Sequence, residues 1–368
     1  MNISHINKLY APWIGGVETH VQDVCEGLAR TTDWRLNVLC CSPTWKSESY
    51  VHNGVHIQKV PSLGLYWSMP VSPGFPVALR NVKSDILHFH FPNPLADLSY
   101  LLTRPKGKVV VTWHSDIIKQ QFFLRFYKKP LAQFLSQTDK ILVTSPVMAQ
   151  NSPFLRNFQD KTEVVPLSVD PEVYALTESL EKRVKTIQKT HGRFVLFVGR
   201  LVYYKGAQVL LEALQGTDIK VLMIGEGPLK SDLEARMSQT LDTGQVTILP
   251  SQPFDQLLAY FHACDFFVLP SIFSSEAFGI VQLEAMACKK AVVSTTLPTG
   301  VPWVNQHQQT GLSVPPNNVD ALREALTCLW SNTQFRSTYG NAGYDRVCTI
   351  FSQKKMISTI KALYETIV

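Results

Sequence analysis

What this chain has little of narrows the reading before any motif is considered. Charged residues make up only 17% of its 368 positions and hydrophobic residues 45%, which excludes a disordered chain with too little apolar surface to offset its ordering entropy. No apolar run approaches the roughly 20 residues that cross a bilayer. The opening MNISHINKLY shows no basic segment leading into a long apolar one, so the expectation is a cytoplasmic protein without a secretory signal. The cysteines number seven, an odd count without a C-x-x-C pair, and give neither a disulfide framework nor a zinc site. Cys40 and Cys41, inside an apolar run, read as small core residues of a reduced protein. No internal repeat suggests a solenoid, and no G-x-G-x-x-G follows the first candidate strand, which argues against a dinucleotide oxidoreductase. A net charge of +6 and a pI near 8.8 suggest an anionic partner such as a nucleotide, a phosphorylated lipid carrier or an anionic membrane surface. They are too mild to argue nucleic acid.

What is present is an alternation of short apolar runs and helical patterns. Candidate strands are Ile3–Asn7, Leu36–Cys41, Val55–Val60, Asp85–Phe89, Lys108–Trp113, Lys140–Thr144 and Glu163–Pro166. Val17–Ala29 reads as a helix, with Val17, Val21, Val24 and Leu28 on one stripe. The pattern resumes with apolar runs at 194–198, 221–224, 246–250, 266–270 and 291–294, separated by helical stretches such as 207–214, 255–263 and 320–329. Such alternation predicts parallel sheets covered on both faces, and the length suits two domains. The fold class is therefore α/β, with two doubly wound Rossmann-like domains. Pro166–Pro171, framed by prolines, reads as the connection between them.

Ligands of such sheets bind at the carboxyl ends of the strands, and it is there that the unusual residues fall. After the strand ending at Leu269, the stretch SIFSSEAFGIVQLEAMACKK passes from a small polar loop into a helix-forming run. Strand, loop and helix aim backbone N–H groups at an anion, and Gly279 permits close approach to the backbone. Glu276 and Glu284 flank that turn. A carboxylate beside a phosphate needs another partner, and sugar hydroxyls are the obvious one. The bland alternative is a solvent-facing Glu284 and a helix-start charge at Glu276. Arg200 and Lys205 follow another strand end, beside Gly206 and a helix start, where two cations can neutralise a diphosphate. Gly15 and Gly16 precede the first helix, and Gly225 lies in a Gly-Glu-Gly-Pro turn after the strand 221–224.

These motifs together resemble retaining nucleotide-sugar glycosyltransferases of the GT-B type, especially glycosyltransferase family 4. Glu276 and Glu284 bracket Phe278-Gly279-Ile280 with the family's seven-residue separation, Gly-Gly-Val-Glu at 15–18 is similar to its donor-diphosphate loop, and Gly199-Arg200-Leu201 followed by Lys205-Gly206 looks like another of its signatures. The resemblance implies a GT-B architecture, two domains facing across a cleft: 1–168 for the acceptor, 169–345 for the nucleotide sugar, and a last helix, 346–368, crossing back to the first domain. It implies that Glu276 and the backbone of Phe278, Gly279 and Ile280 hold the donor sugar and its phosphates. Glu284 would hold the ribose, and Gly225 would lie at the nucleotide. Arg200 and Lys205 would meet the departing diphosphate, with Gly15 and Gly16 assisting. No Asp-x-Asp triad is present, and the expectation is no cofactor and no catalytic metal.

Two further strand ends carry candidates. Val111–Asp116 ends in His114 and Asp116, where the family carries a histidine with a nearby aspartate; the resemblance implies that His114 binds the transferred sugar and that Asp116 orients the acceptor or the imidazole. His90, in HFHFPN, is an acceptor-site candidate. The basic, aromatic segment 117–137 has two readings, peripheral contact with an anionic membrane at its inner face or an amphipathic helix packed on the sheet. Whole-chain likeness to bacterial surface-polysaccharide transferases implies a hexosyl donor, with GDP-mannose favoured over a UDP-hexose, and a glycan or lipid-linked acceptor. A non-catalytic nucleotide-sugar-binding regulator is the reading from another class.

Overall fold

The computed structural model describes residues 1–13, 15–66, 69–117 and 121–368, with the side chains at 121–124 left aside. The chain forms two units, 1–167 joined by 353–368, and 168–352.

Ten strands belong to the first unit: β1 (Asn2–Ile6), β2 (Arg35–Cys41), β3 (Glu48–His52), β4 (Val55–Val60), β5 (Leu65–Tyr66), β6 (Met69–Pro70), β7 (Ile86–Phe91), β8 (Lys108–Trp113), β9 (Lys140–Val143) and β10 (Thr162–Val164). Eight make one sheet in the order β10-β9-β8-β7-β1-β2-β4-β3, parallel except for the β3–β4 hairpin. That hairpin turns on Asn53 and Gly54, both at positive φ, as a two-residue turn matched to the strand twist requires. Strand order reverses between β1 and β7, so the crevice of this sheet lies at their carboxyl ends. In register, His5 pairs with His88 and His90 with Thr112; with side chains alternating along each strand, His5, His88, His90 and Thr112 share one face.

Two helices cover that face. Gly16–Thr31 buries Val21, Val24 and Leu28, and Gln353–Ile367 buries Met356, Ile357, Ile360, Leu363 and Tyr364 in the same core cluster. Each such side chain contributes roughly 1.5–3 kcal/mol, which is why the chain's last helix belongs to the first unit. That helix starts at Gln353 rather than at 346, because residue 346 lies within a helix of the second unit, Thr333–Thr349. The helix Gln121–Ser136, within the segment 117–137, divides along its length. Leu131, Phe134 and Leu135 are buried, with the Phe134 ring against Phe89 and Tyr100, while Arg125, Phe126, Lys128 and Lys129 are exposed. Residues 118–120 of that segment lie outside the described residues. Among the described residues no helix is long and apolar enough to cross a membrane.

The second unit holds β11 (Val195–Val198), β12 (Val221–Ile224), β13 (Val246–Leu249), β14 (Phe266–Leu269), β15 (Val292–Thr295) and β16 (Gly311–Val314), all parallel in the order β13-β12-β11-β14-β15-β16. The order reverses between β11 and β14, so a ligand crevice belongs where these two strands end. Arg200 and Lys205 follow β11, and Glu276 follows β14. β16 was not expected; it opens at Gly311, where a Cβ would stand 1.9 Å from the Val292 carbonyl oxygen. Nor was Thr333–Thr349, whose Gly340 and Gly343 let it lie against Lys289 and Met286 in place of an apolar stripe.

Candidate functional site

In the second unit, the loop after β11 carries Lys205 in a single turn, Tyr203–Lys205, closed by Gly206 in the left-handed conformation. A Cβ at Gly206 would lie 1.9 Å from the Pro270 carbonyl oxygen, so only glycine lets this loop rest on the end of β14. The contact brings Lys205 Nζ to 2.6 Å from Glu276 Oε2, with the two side chains 11% and 10% exposed. Glu276 Oε2 also accepts from Ser271 Oγ at 2.9 Å, and the Ser271 carbonyl accepts from Thr295 Oγ1 at 2.6 Å. Two charges this far out of water hold together only because each is compensated by the other. Arg200, at the same strand end, is exposed and donates to the Tyr204 hydroxyl at 3.5 Å. Gly225 serves the neighbouring turn: a Cβ there would stand 2.0 Å from the Gly199 carbonyl oxygen, so the ends of β11 and β12 meet backbone to backbone.

Gly279 sits at φ +72° and turns the chain into the helix Val281–Ala287. The backbone N–H groups of Phe278, Gly279 and Ile280 have no hydrogen-bond acceptor among the described residues. That helix has barely two turns, so its own field is smaller than the sequence suggested, and the free amides are the anion-binding feature of the turn. Phe278 is buried, edge-on to Trp303 and Phe351. Glu284 is not the solvent-facing residue of the bland reading. It is half-buried, Oε1 accepts from the Tyr174 hydroxyl at 3.4 Å, and burial pushes its carboxyl up to about 7 against the opposing pull of that hydrogen bond and of Lys205.

In the first unit, Gly15 caps the helix Gly16–Thr31, and a Cβ at Gly16 would meet nothing within 4 Å; Ile14 lies outside the described residues. One turn into the helix is His20, its ring edge-on to His114 at 5.0 Å between centroids. His114 follows β8 and is 8% exposed, with Nε2 facing His90 Nδ1 at 3.1 Å. His90 Nε2 in turn faces His5 Nδ1 at 3.0 Å. Two expectations change here. His90 is 1% exposed with both ring nitrogens taken by other histidines, so it has nothing left for an acceptor hydroxyl. Asp116 does not orient the His114 imidazole: its Oδ1 accepts from Trp113 Nε1 at 2.9 Å and Ser152 Oγ at 2.7 Å, and His90 fills the orienting role.

Burial dominates the electrostatics of this cluster. It brings His5 down to about 3, helped by His20, and His20 to about 4, and it holds His88, His90 and His114 well below the usual imidazole range. All five are neutral at neutral pH. The ring nitrogens of His5, His88 and His90, and of His20, His90 and His114, lie within 4.8 Å of one another, close enough to hold a metal ion. Sequence reasoning missed His5, His20 and Tyr364, and also Asp97, a fully buried carboxyl that burial lifts to about 7 against a hydrogen bond from Tyr127. For His5 a signal was available, a polar residue inside an apolar strand facing those of ILHFHF; His20, Asp97 and Tyr364 lie on helices and gave none.

Residues 14–173 match the model of Glycosyltransferase Family 4, and residues 178–346 that of the Glycosyl transferases group 1. The chain is 31% identical over 371 residues to the O-antigen chain mannosyltransferase C of Escherichia coli, covering 100% of this chain and 99% of that one. It is 33% identical over 363 residues to the D-rhamnosyltransferase WbpZ of Pseudomonas aeruginosa, covering 96% and 92%. Among solved structures it resembles the sucrose-phosphate synthase of Thermosynechococcus elongatus, with TM-score 0.83 at 19% identity over 99% of this chain and 98% of that one. Anabaena HepE in complex with UDP superposes at TM-score 0.79, with 17% identity and full coverage of both chains. With two Rossmann-like sheets and relatives of this identity over its whole length, the chain belongs to the family 4-like glycosyltransferases of the GT-B fold.

Proposed function

We propose that this chain moves a hexose, mannose in first place, from a nucleotide diphosphate sugar (GDP-mannose favoured) to a lipid-linked or oligosaccharide acceptor in bacterial surface-polysaccharide synthesis. The observation that carries the reading is the Lys205–Glu276 pair at the point where the second sheet reverses its strand order. There a cation for a diphosphate and a carboxylate for sugar hydroxyls already stand together. Names of the relatives support the product class: one is an O-antigen mannosyltransferase and the other a D-rhamnosyltransferase, and D-rhamnose is mannose without its C6 hydroxyl. The donor's nucleotide and phosphates go to the second unit and the acceptor to the first.

In this reading Glu276 and the free amides at 278–280 hold the donor sugar and its phosphates, and Glu284 takes the ribose hydroxyls. Gly225 borders the nucleotide. Arg200 and Lys205 meet the charge on the departing diphosphate, with Gly15 and Gly16 assisting, so the step calls on no catalytic metal and no cofactor. His114 would contact the transferred sugar. Glu276, held by Lys205 and Ser271, is poorly placed as a nucleophile. Transfer with retention then proceeds on one face: the bond from C1 to the phosphate oxygen breaks, the bond from C1 to the acceptor oxygen forms, and the acceptor proton passes to the leaving phosphate. Exposed Arg125, Phe126, Lys128 and Lys129 support peripheral docking at the cytoplasmic face of the membrane that presents a lipid-linked acceptor.

The test begins with thermal stabilisation by GDP, UDP, ADP and NAD at matched concentrations without added metal. A preferred ligand at about 100 times its Kd adds roughly 2.7 kcal/mol. A shift with GDP alone supports the mannosyl reading; a shift with UDP alone keeps the transferase and discards the donor; a shift with NAD alone overturns both. Sugar transfer from GDP-mannose to a lipid-linked glycan then separates an enzyme from a non-catalytic binder.

A further inference from the structure

The buried histidines of the first unit are more numerous than the sugar contact assigned to His114 requires. Their arrangement is a continuous chain of contacts. His90 Nε2 faces His5 Nδ1 at 3.0 Å, His5 Nε2 faces the Tyr364 hydroxyl at 3.4 Å, that hydroxyl meets His88 Nδ1, and His88 Nε2 faces Thr112 Oγ1 at 2.7 Å. A neutral imidazole carries one N–H and one lone pair, and a tyrosine hydroxyl carries one proton. Each link needs one proton, so all must point the same way or a buried hydroxyl proton is wasted. Two proton orders satisfy these links, and in the one that runs from His90 toward Thr112 the lone pair left over is His90 Nδ1, the order a metal on that nitrogen requires.

That lone pair faces His114 Nε2 at 3.1 Å, and beside both rings stands His20, 5% exposed, whose Nε2 is buried without a hydrogen-bond partner among the described residues. We propose that His20 Nε2, His90 Nδ1 and His114 Nε2 form a three-imidazole binding site for a transition-metal ion of the zinc class. One ring nitrogen from each of the three lies within 4.8 Å of the others, His90 Nδ1 and His114 Nε2 being 3.1 Å apart, and ligand distances near 2.0–2.1 Å call for a small contraction around the ion. An all-nitrogen donor set without a carboxylate favours zinc, cobalt, nickel or copper over magnesium or calcium. His5 accepts the remaining N–H of His90, an outer hydrogen bond of the kind that fixes a ligand's tautomer, and Tyr364 and His88 brace His5 in turn. As a ligand through Nε2, His114 carries its proton on Nδ1. Slight exposure of His20 and His114 gives the ion a way in. An ion so held takes His114 from the transferred sugar and slows transfer. That consequence rests on the proposed function; the binding site does not.

The experiment uses the full chain, stripped with chelator and dialysed, then titrated with Zn2+ and separately with Co2+. Expected are one Zn2+ per chain by elemental analysis and visible Co2+ absorption bands, with Mg2+ failing to compete. His20→Gln should weaken Zn2+ at least tenfold with the circular dichroism unchanged, whereas His56→Gln, on the exposed face of β4, should not. His20→Cys should keep the ion and add a thiolate-to-Co2+ charge-transfer band, which reads position 20 directly even if the Gln variant folds poorly. Absence of bound Zn2+ in the wild type, Zn2+ affinity unaltered in His20→Gln, or bound Co2+ without that band in His20→Cys would each overturn the site. If the chain binds Zn2+ but never transfers mannose, the function is at fault and the site stands.

Discussion

Removing the charge of Lys205 is the sharpest perturbation the structure offers. At 2.6 Å between Nζ and Oε2, the gross attraction at an effective dielectric of 20 is about 6 kcal/mol. Desolvation of two nearly buried ions cancels most of it, so the pair as a whole adds little stability. Its loss is asymmetric. Lys205→Met leaves Glu276 buried with only the Ser271 hydroxyl as partner, and an uncompensated charge of this kind costs about 3–5 kcal/mol. For a unit of this size each kcal/mol lowers the midpoint by roughly 2–4 °C, so the second unit should melt about 6–20 °C lower. Glu276→Gln should cost a similar amount, and the double variant much less than the sum, with a coupling of about 3 kcal/mol or more. Thermal and urea denaturation of the four proteins gives the cycle. Single variants that add to within about 0.5 kcal/mol would refute the pair. At a temperature where each variant is folded, Lys205→Ala, Lys205→Met and Glu276→Ala should lose transfer from the donor sugar; normal turnover in any of them would remove the residue from the site.

Four further outcomes follow from named contacts. The Glu284 carboxyl keeps its proton to about pH 7 when folded against 4.5 otherwise, so between those values the folded state binds more protons and stability from this group falls as pH rises. Glu284→Gln should therefore gain in melting temperature on the wild type from pH 4.5 to 8, and nucleotide affinity in the wild type should rise across pH 6 to 8 and go flat in the variant, as isothermal titration would read. Gly206→Ala places a side chain at φ +71° and against the Pro270 carbonyl; a loss of about 2–4 kcal/mol in urea is expected. Gly16→Ala meets open space and should melt within about 1 °C of the wild type while weakening donor binding; an unchanged Kd would take Gly16 out of the donor site. Tyr364→Phe removes the hydroxyl between His5 and His88 and should lower the first unit's stability by about 1–3 kcal/mol, read by denaturation of the full chain.

Most of the fold was legible because both sheets are mainly parallel and covered: buried strands stand out as apolar runs, and ligand-side turns stand out as glycines. What escaped lacked those marks. β3 is almost wholly exposed, so no alternation announces it, although the Asn53-Gly54 pair that turns it does. β16 is four residues long and begins on a glycine that is there for want of room beside Val292. Thr333–Thr349 packs through Gly340 and Gly343, and a helix that approaches by the smallness of its residues shows no hydrophobic stripe.

The site divides along a similar line. Lys205 and Glu276 lie on different strand ends, and no spacing rule joins them; resemblance to a family did, and the packing of Gly206 on Pro270 supplies the physical cause. Glu284 was legible as a residue but not in its protonation, which depends on burial beside Tyr174. The histidine cluster was hidden for a third reason. Its members meet through cross-strand register, His5 beside His88 and His90 beside Thr112, and through helices that close over one face. A sequence does not show register. It does show polar residues at alternate positions of strands whose other residues are Ile, Leu, Phe and Val. A buried polar group is rarely left without a partner, so each such residue implies another on the same face. Applied to NISHI, ILHFHF and VVVTWH together, that rule gathers His5, His88, His90, Thr112 and His114 before any coordinates are known. His20 Nε2, on the helix above those rings and without a hydrogen-bond partner among the described residues, is then a place to look for something the chain itself does not provide.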